Sequence, residues 1–198
     1  MKILISGFKP FLGQKINPSQ NLANDLGELF TDVEAVILPV EFTKSFLVLE
    51  EALRLHQPDC LIMLGQASGC HNVCFEKIAL NWQQSEVADE NNLQPKPGMI
   101  IPNSELALMT LFPVDSFYKE LKDLGKAVKI SFSAGTYVCN DLYYRVLQSH
   151  RELSAVFIHV PLIAEQVTDT KRPYLDYAEQ LEILKLLVSS LIHRLRGN

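Results

Sequence analysis

Three residues of the sequence combine a reactive side chain with surroundings in which catalysis is feasible. Cys139 follows a turn of small residues at 133–136, between an apolar run and a helical pattern. His159 interrupts the end of an otherwise apolar run, and Glu76 lies among apolar neighbours. A thiol, an imidazole and a carboxylate can act together as nucleophile, general base and the group that orients the base. The sequence therefore predicts a cysteine hydrolase, provided that the fold brings these side chains together.

Each of the three residues also has a non-catalytic interpretation. A lone cysteine such as Cys139 is more often a small buried apolar side chain. A histidine such as His159 in an apolar strand is commonly bonded to a backbone carbonyl, and Glu76 also fits a surface charge on an amphipathic strand. Spacing along the chain does not decide between the two interpretations.

The elements that must position these residues follow from the apolar pattern. Short apolar runs alternate with helical periodicity, which is typical of a mostly parallel sheet with helices on both faces. We expect an α/β fold, a single-domain three-layer α/β/α sandwich over residues 1–198, in which 83–113 is mostly loop or a hairpin excursion. The pattern predicts strands at 2–6, 33–40, 60–64, 75–82, 128–132 and 155–160, and helices starting at 17–19 and over 41–56, 115–124, 136–149 and 174–196.

This arrangement has a consequence for the cysteine. Ligands of such folds bind beyond the carboxyl ends of the strands, where the loops lie. The helix predicted over 136–149 starts at this edge and places Cys139 in its first turn. The unpaired N–H groups and the dipole at a helix N-terminus favour the thiolate, which is the nucleophilic form.

Composition and charge exclude several classes of protein. The chain has 198 residues, 47% of them hydrophobic, and a formal net charge of -5. An acidic chain without a basic run lacks the features of a nucleic-acid or membrane-surface protein. Four cysteines are too few for a disulfide scaffold, and neither a signal peptide nor a membrane span is expected, so we predict a cytoplasmic protein.

Two further motifs are weak indications of a bound group. Cys70 and His71 stand close to Cys74, but no second pair follows at the spacing of a zinc site. The glycine-rich stretch 65–69 lacks the lysine and the spacing of a phosphate-binding loop. We therefore expect neither a metal nor a cofactor.

Together with their neighbours, the three reactive segments resemble the pyroglutamyl peptidase I (pyrrolidone-carboxylate peptidase) family of cysteine peptidases. The similarity extends from residue 1 through the region of His159 and continues more loosely into the last helix. The blocks that carry it are Gly-Phe-Lys-Pro-Phe at 7–11, Asn-Pro-Ser at 17–19, Leu-Pro-Val at 38–40, Gly-Gln-Ala at 65–67, Glu-Lys-Ile-Ala-Leu-Asn at 76–81, Ser-Ala-Gly-Thr-Tyr-Val-Cys-Asn at 133–140 and Phe-Ile-His-Val-Pro at 157–161.

The resemblance implies removal of an N-terminal pyroglutamate from a peptide by acyl transfer. Cys139 would attack the carbonyl that follows the lactam ring, His159 would transfer the protons, and Glu76 would orient His159. Phe8 and Phe11 match family positions that enclose the ring. The family also forms dimers and tetramers, so we expect a homo-oligomer. The other residues that the resemblance places at the substrate are Gln66, Tyr137 and Val138.

The sequence departs from the family pattern at three positions. Glu86 stands where the family carries an arginine beside the active site, Val40 replaces a threonine, and Leu12 replaces a glycine. A carboxylate close to a developing oxyanion opposes it. Two alternatives therefore stay open: a divergent member with an altered amide substrate or weak activity, and a non-catalytic module that binds peptides.

Overall fold

Strands and helices alternate along most of the chain. The computed structural model describes residues 1–167 and 172–197. The elements are β1 (Ile3–Phe8), α1 (Pro18–Leu29), β2 (Val33–Leu38), α2 (Lys44–His56), β3 (Cys60–Gln66), β4 (Val73–Glu76), β5 (Ile78–Leu80), β6 (Ala107–Met109), α3 (Val114–Asp123), β7 (Val128–Ser131), α4 (Val138–Ser149), β8 (Ser154–Val160), a 3-10 turn (Ala164–Gln166) and α5 (Tyr177–Arg196).

Six strands form the central sheet, in the order β2-β1-β3-β8-β4-β7. Four of its five pairings are parallel, and the pairing of β4 with β8 is antiparallel. As a result, β4 and β7 run opposite to the other strands. The predicted α/β class with a mostly parallel sheet is confirmed, whereas a single domain over 1–198 stays a prediction.

Helices cover both faces of this sheet. Along β1, Ile3 and Ile5 pack with α1, α3 and α5, whereas Leu4 and Phe8 pack with α2 and α4 on the opposite face. Successive residues of a strand point to opposite faces, so a strand covered on both sides must be apolar throughout. Burial on both faces explains why the strands are continuous apolar runs in the sequence. The helices on both faces of the sheet confirm the predicted three layers.

The predicted strand at 75–82 is wrong as one element. β4 ends at Glu76 in the main sheet, and β5 forms a separate two-stranded sheet with β6. Lys77 stands between them: its N–H donates to Ser131 on β7, and its carbonyl accepts from Thr110 beyond β6. Because the two backbone groups of Lys77 bond to different segments, the chain leaves the sheet there. As expected, most of 83–113 is irregular, and its strand β6 pairs with β5 outside that segment.

Three helices begin slightly later than the pattern predicts. The residue before each start has a non-helical backbone: Thr43 has φ of +61°, and Tyr137 and Asp176 have ψ of −167° and 141°. Apolar periodicity does not report these local backbone angles. The bounds of the remaining predicted strands, and those of the helix at 115–124, agree with the structure to within about two residues.

Within the described residues, none of the helices combines the length and apolarity needed to cross a bilayer. The cytoplasmic location stays a prediction.

Candidate active site

Cys139 is the second residue of α4, as the sequence predicts. The preceding turn reverses the chain at Gly135, whose φ of +80° favours glycine. Tyr137 is extended and caps the helix, so the half-buried Cys139 lies in its first turn. Backbone N–H groups in a first turn have no intrahelical acceptor and carry the positive end of the helix dipole. The local structure therefore favours negative charge at the sulfur.

Gly65 on β3 provides the space in which the sulfur lies. A Cβ atom at this position would approach the Phe157 ring to 2.7 Å and the Cys139 sulfur to 3.1 Å. Even an alanine at 65 would force the ring or the sulfur to move. Sequence reasoning missed this role, although a glycine inside an apolar strand is a known sign of close approach.

His159 and Glu76 come from adjacent antiparallel strands, β8 and β4. The Nδ1 atom of His159 lies 2.8 Å from Oε1 of Glu76, and both residues are buried, at 8% and 2% exposure. A carboxylate only accepts hydrogen bonds, so Nδ1 carries the proton. The other ring nitrogen is left for the Cys139 side chain, which is close enough to the imidazole to raise the pKa of His159. The structure thus brings the three predicted catalytic residues into contact.

The charge of the imidazole follows from these two contacts. Burial by itself lowers the pKa of His159, but hydrogen bonds and charges from Cys139 and Glu76 outweigh burial and raise the pKa to about 10. The ring is therefore protonated at neutral pH. The second carboxylate oxygen of Glu76, Oε2, is buried without a hydrogen-bond partner among the described residues.

An open cavity of about 430 Å³ gives access to Glu76 and His159, and Cys139 is not among the residues that line it. The cavity is lined by His159, Glu76 and Gln66, together with Cys70 and Cys74.

The sulfurs of Cys70 and Cys74 both donate to the carbonyl of Asn72, at 3.4 and 3.3 Å. The proximity of the two thiols lowers the pKa of Cys70 and raises the pKa of Cys74. Among the described residues no group of three possible metal ligands occurs.

The residues expected to bind the substrate ring form one apolar region. Phe8 and Val138 are buried in the cluster between the sheet and α4, and the half-buried Phe11, Tyr137 and Cys139 pack against it. These five residues therefore belong to one hydrophobic cluster that includes the sulfur. Phe11 also lines a second cavity, of about 210 Å³, and Gln66 lines both cavities.

The irregular segment 83–94 packs beside this hydrophobic cluster and contacts the chain between β2 and α2. Asp89, which is buried, accepts a 2.9 Å hydrogen bond from the N–H of Phe42, whose ring packs edge-on against Tyr137 at 5.3 Å. Glu90 accepts from the N–H of Leu12 at 3.0 Å. Nothing in the sequence analysis identified Asp89 or Glu90, because their partners lie 47 and 78 positions away.

Glu86 belongs to the same segment but has a different position. Its side chain is exposed, and it lines neither of the two cavities. This placement does not support the expectation that a carboxylate at 86 opposes charge at Cys139.

Comparisons with known proteins agree with this geometry. A family model described as pyroglutamyl peptidase matches residues 1–194. The pyrrolidone-carboxylate peptidase of Bacillus amyloliquefaciens is 32% identical over 200 aligned positions, covering 97% of this chain and 93% of that protein. That of Pyrococcus furiosus is 33% identical over 208 positions, covering 98% and 100%. The crystal structure of pyrrolidone carboxyl peptidase from Fervidobacterium islandicum AW-1 is similar with a TM-score of 0.91 and 30% identity, over 98% of this chain and 99% of that one.

Proposed function

The chain belongs to the pyroglutamyl peptidase family of cysteine exopeptidases, and from that premise we propose that it removes the N-terminal pyroglutamyl residue of peptides by acyl transfer to Cys139. In this proposal His159 transfers the protons and Glu76 orients His159. The substrate is a peptide whose N-terminus is blocked as a lactam.

One observation carries the proposal, namely the imidazole of His159 placed between Glu76 and Cys139. Glu76 accepts from Nδ1 at 2.8 Å, and the Cys139 side chain is close enough to the ring to raise the pKa of His159. The hydrogen bond from Nδ1 to Glu76 selects the tautomer and the orientation of the imidazole, which is the task of the carboxylate in nucleophile–base–acid triads. Because the imidazole is charged at neutral pH, it can stabilise negative charge on the neighbouring sulfur.

The acyl transfer proceeds in two steps. The sulfur of Cys139 forms a bond to the carbonyl carbon that follows the lactam ring, and the imidazolium of His159 donates its proton to the nitrogen that leaves. Water then attacks the thioester, gives a proton to the imidazole, and releases pyroglutamate. The oxyanion in each step is stabilised by backbone N–H groups in the first turn of α4, a contribution of about 2.7–4 kcal/mol per donor in related chemistry.

Recognition of the ring follows from its chemistry. A lactam ring is flat, uncharged and mostly apolar, with one N–H donor and one carbonyl acceptor. The apolar region around Phe8 and Phe11 suits the faces of the ring. The side-chain amide of Gln66, on the adjacent wall, suits one of its polar groups.

The test is hydrolysis of a fluorogenic pyroglutamyl amide, such as the aminomethylcoumarin derivative. We expect the wild-type protein to release the fluorophore, and Cys139→Ala to lower kcat/KM on the order of 10³-fold or more, because the nucleophile is lost. Cys60→Ala is the matched control. Cys60 is buried in the core, its pKa is raised to about 12 by burial, and it lies outside both cavities.

Two results would contradict the proposal. One is hydrolysis that survives Cys139→Ala, and the other is a correctly folded wild-type protein without activity on the amide. Circular dichroism of each variant shows whether the fold is retained.

A further inference from the structure

Two glutamine side chains that are 100 residues apart in the sequence meet at the second cavity. The Nε2 atom of Gln166 donates to Oε1 of Gln66 at 2.8 Å. Gln66 ends β3, and Gln166 ends the short 3-10 turn after β8. Both side chains line the cavity of about 210 Å³ together with Phe11.

The orientation of the Gln166 amide is determined by backbone groups. Its Oε1 accepts from the N–H of Ile163 at 3.1 Å, and its Nε2 donates to the carbonyl of Ile16 at 3.1 Å. A backbone N–H only donates and a backbone carbonyl only accepts. Rotating the amide by 180° would place like groups opposite each other at both contacts, so only one orientation satisfies them.

This orientation determines that of Gln66. Because Gln166 presents an N–H, the atom of Gln66 that faces it must be the oxygen. The amino group of Gln66 is then the part of the amide that is left for the cavity. Among the described residues it has no acceptor, so it offers two donors to a bound molecule.

We propose that Gln166 is a positioning residue that fixes the polarity of the Gln66 amide, so that Gln66 donates a hydrogen bond to the lactam carbonyl of the substrate. This inference rests on the proposed function, because it assigns the group of the pyroglutamyl ring that Gln66 recognises. An amide free to rotate would accept from a ring N–H as readily as it donates to a ring carbonyl. Gln166 prevents Gln66 from accepting a hydrogen bond from the ring N–H.

The assignment has a consequence for specificity. A proline ring has the same size as a pyroglutamyl ring but lacks the carbonyl, so it leaves the Gln66 donors unpaired. Sites built to bond a polar group reject analogues that lack it much more strongly than apolar pockets reject a missing methylene. Gln166 therefore contributes to the preference for pyroglutamyl over prolyl amides without touching either.

Two substitutions at 166 distinguish an effect on the polarity of the Gln66 amide from a loss of structural support by Gln166. In Gln166→Glu the carboxylate still accepts from Ile163 but has no donor, so Gln66 must turn its amino group towards it and present its oxygen to the ring. We expect KM for the pyroglutamyl amide to rise roughly 10- to 100-fold with kcat nearly unchanged. Gln166→Met leaves Gln66 free to rotate, and we expect KM to rise only roughly 2- to 5-fold.

The order of the two variants is the decisive result. Methionine removes every polar contact of Gln166, whereas glutamate keeps one. Loss of support alone therefore makes Gln166→Met at least as harmful as Gln166→Glu, and that order would overturn the inference. Repulsion between a carboxylate at 166 and the carbonyl of Ile16 would act whether or not Gln66 is present. A second check uses the Gln66→Leu background, in which Gln166→Glu should raise KM no further. An equal rise in that background would also overturn it.

A binding experiment separates this inference from the proposed function. In the Cys139→Ala protein, 2-pyrrolidone should shift the side-chain amide resonances of Gln66, and adding Gln166→Glu should abolish the shift. If the wild-type protein fails to hydrolyse the amide but the shift occurs, the proposed function is wrong and the inference stands. If hydrolysis occurs and 2-pyrrolidone shifts Gln66 equally in both proteins, the inference is wrong and the function stands.

Discussion

At the scale of single residues, Glu76 determines both the orientation and the charge of His159. Its carboxylate is 2.8 Å from Nδ1 and is among the groups that raise the pKa of His159 to about 10, against burial that lowers it. An amide at 76 would keep the size of the side chain and lose the charge. The two effects of Glu76 can therefore be measured together in one substitution.

We expect Glu76→Gln to lower kcat on the order of 10²–10⁴-fold, because the imidazole is no longer held in one tautomer. The alkaline limb of kcat/KM should also move. Under the proposed mechanism, the rate of the wild-type protein should fall as pH rises through about 10, where His159 loses the proton that it would give to the leaving amine. Without the carboxylate this limb should shift to lower pH, which a pH–rate profile measures.

Glu50→Gln is the matched control for this substitution. Glu50 contacts His150 at 2.7 Å, so the same chemical change is made in a histidine–carboxylate pair outside both site cavities. Its profile should coincide with that of the wild-type protein. An alkaline limb that stays in place in Glu76→Gln would show that Glu76 does not determine the charge of His159.

At the scale of elements, the regular parts of the site could be predicted and the irregular part could not. The small-residue turn before α4 and the apolar strand around His159 have local signatures. Segment 83–94 does not, because its conformation depends on contacts with distant elements. Asp89 shows this: its carboxylate bonds the N–H groups of Asn91 and Leu93 in its own loop, and it joins that loop to the distant N–H of Phe42.

We expect Asp89→Ala to raise KM more than it lowers kcat, because Phe42 and Tyr137 lose their support while Cys139 and His159 keep theirs. Three backbone N–H groups would lose a charged acceptor, so the free energy of unfolding should fall by about 1.5–3 kcal/mol. Steady-state kinetics and urea denaturation measure the two effects.

Glu86→Ala provides the control for Asp89→Ala. It removes an exposed carboxylate from the same segment, and such surface substitutions usually change stability by less than about 0.5 kcal/mol. Equal effects of the two substitutions would mean that segment 83–94 does not support the substrate region. A large loss of activity in Glu86→Ala alone would restore a role for position 86.

At the scale of the whole molecule, the sequence predicts the layers and singles out the three residues that the structure brings together, but not the other contacts between distant side chains. Strand and helix periods are local properties, so the α/β class follows from them. The pairing of Gln66 with Gln166 and the space beside Gly65 depend on how strands are ordered in the sheet. That order, including the reversed direction of β4, is not encoded in any local pattern.

The oligomeric state is a further prediction at this scale. Leu106, Met109 and Leu111 lie in and beside β6 and are 77%, 63% and 64% exposed. Such a group of exposed apolar side chains on a projecting two-stranded sheet is typical of an association surface. We expect a dimer or tetramer by light scattering, and we expect Leu106→Glu combined with Leu111→Glu to shift it towards the monomer.

Leu55→Glu is the control for the oligomer experiment. Leu55 is 72% exposed on α2, so the same charge is introduced on an apolar side chain away from β6. A monomeric wild-type protein would contradict the prediction, and so would an equal effect of Leu55→Glu.

The antiparallel pairing of β4 with β8 has a consequence for how the protein responds to heat. Glu76 and His159 belong to strands joined by backbone hydrogen bonds in the middle of the sheet. The loop around Leu12, which we propose contacts the substrate ring, is tied to Glu90 by one exposed hydrogen bond. Central strands open only when the whole molecule unfolds, whereas exposed loops open at a small fraction of that free energy. On warming, the protein should therefore lose its hold on the peptide while the groups that cleave it are still assembled.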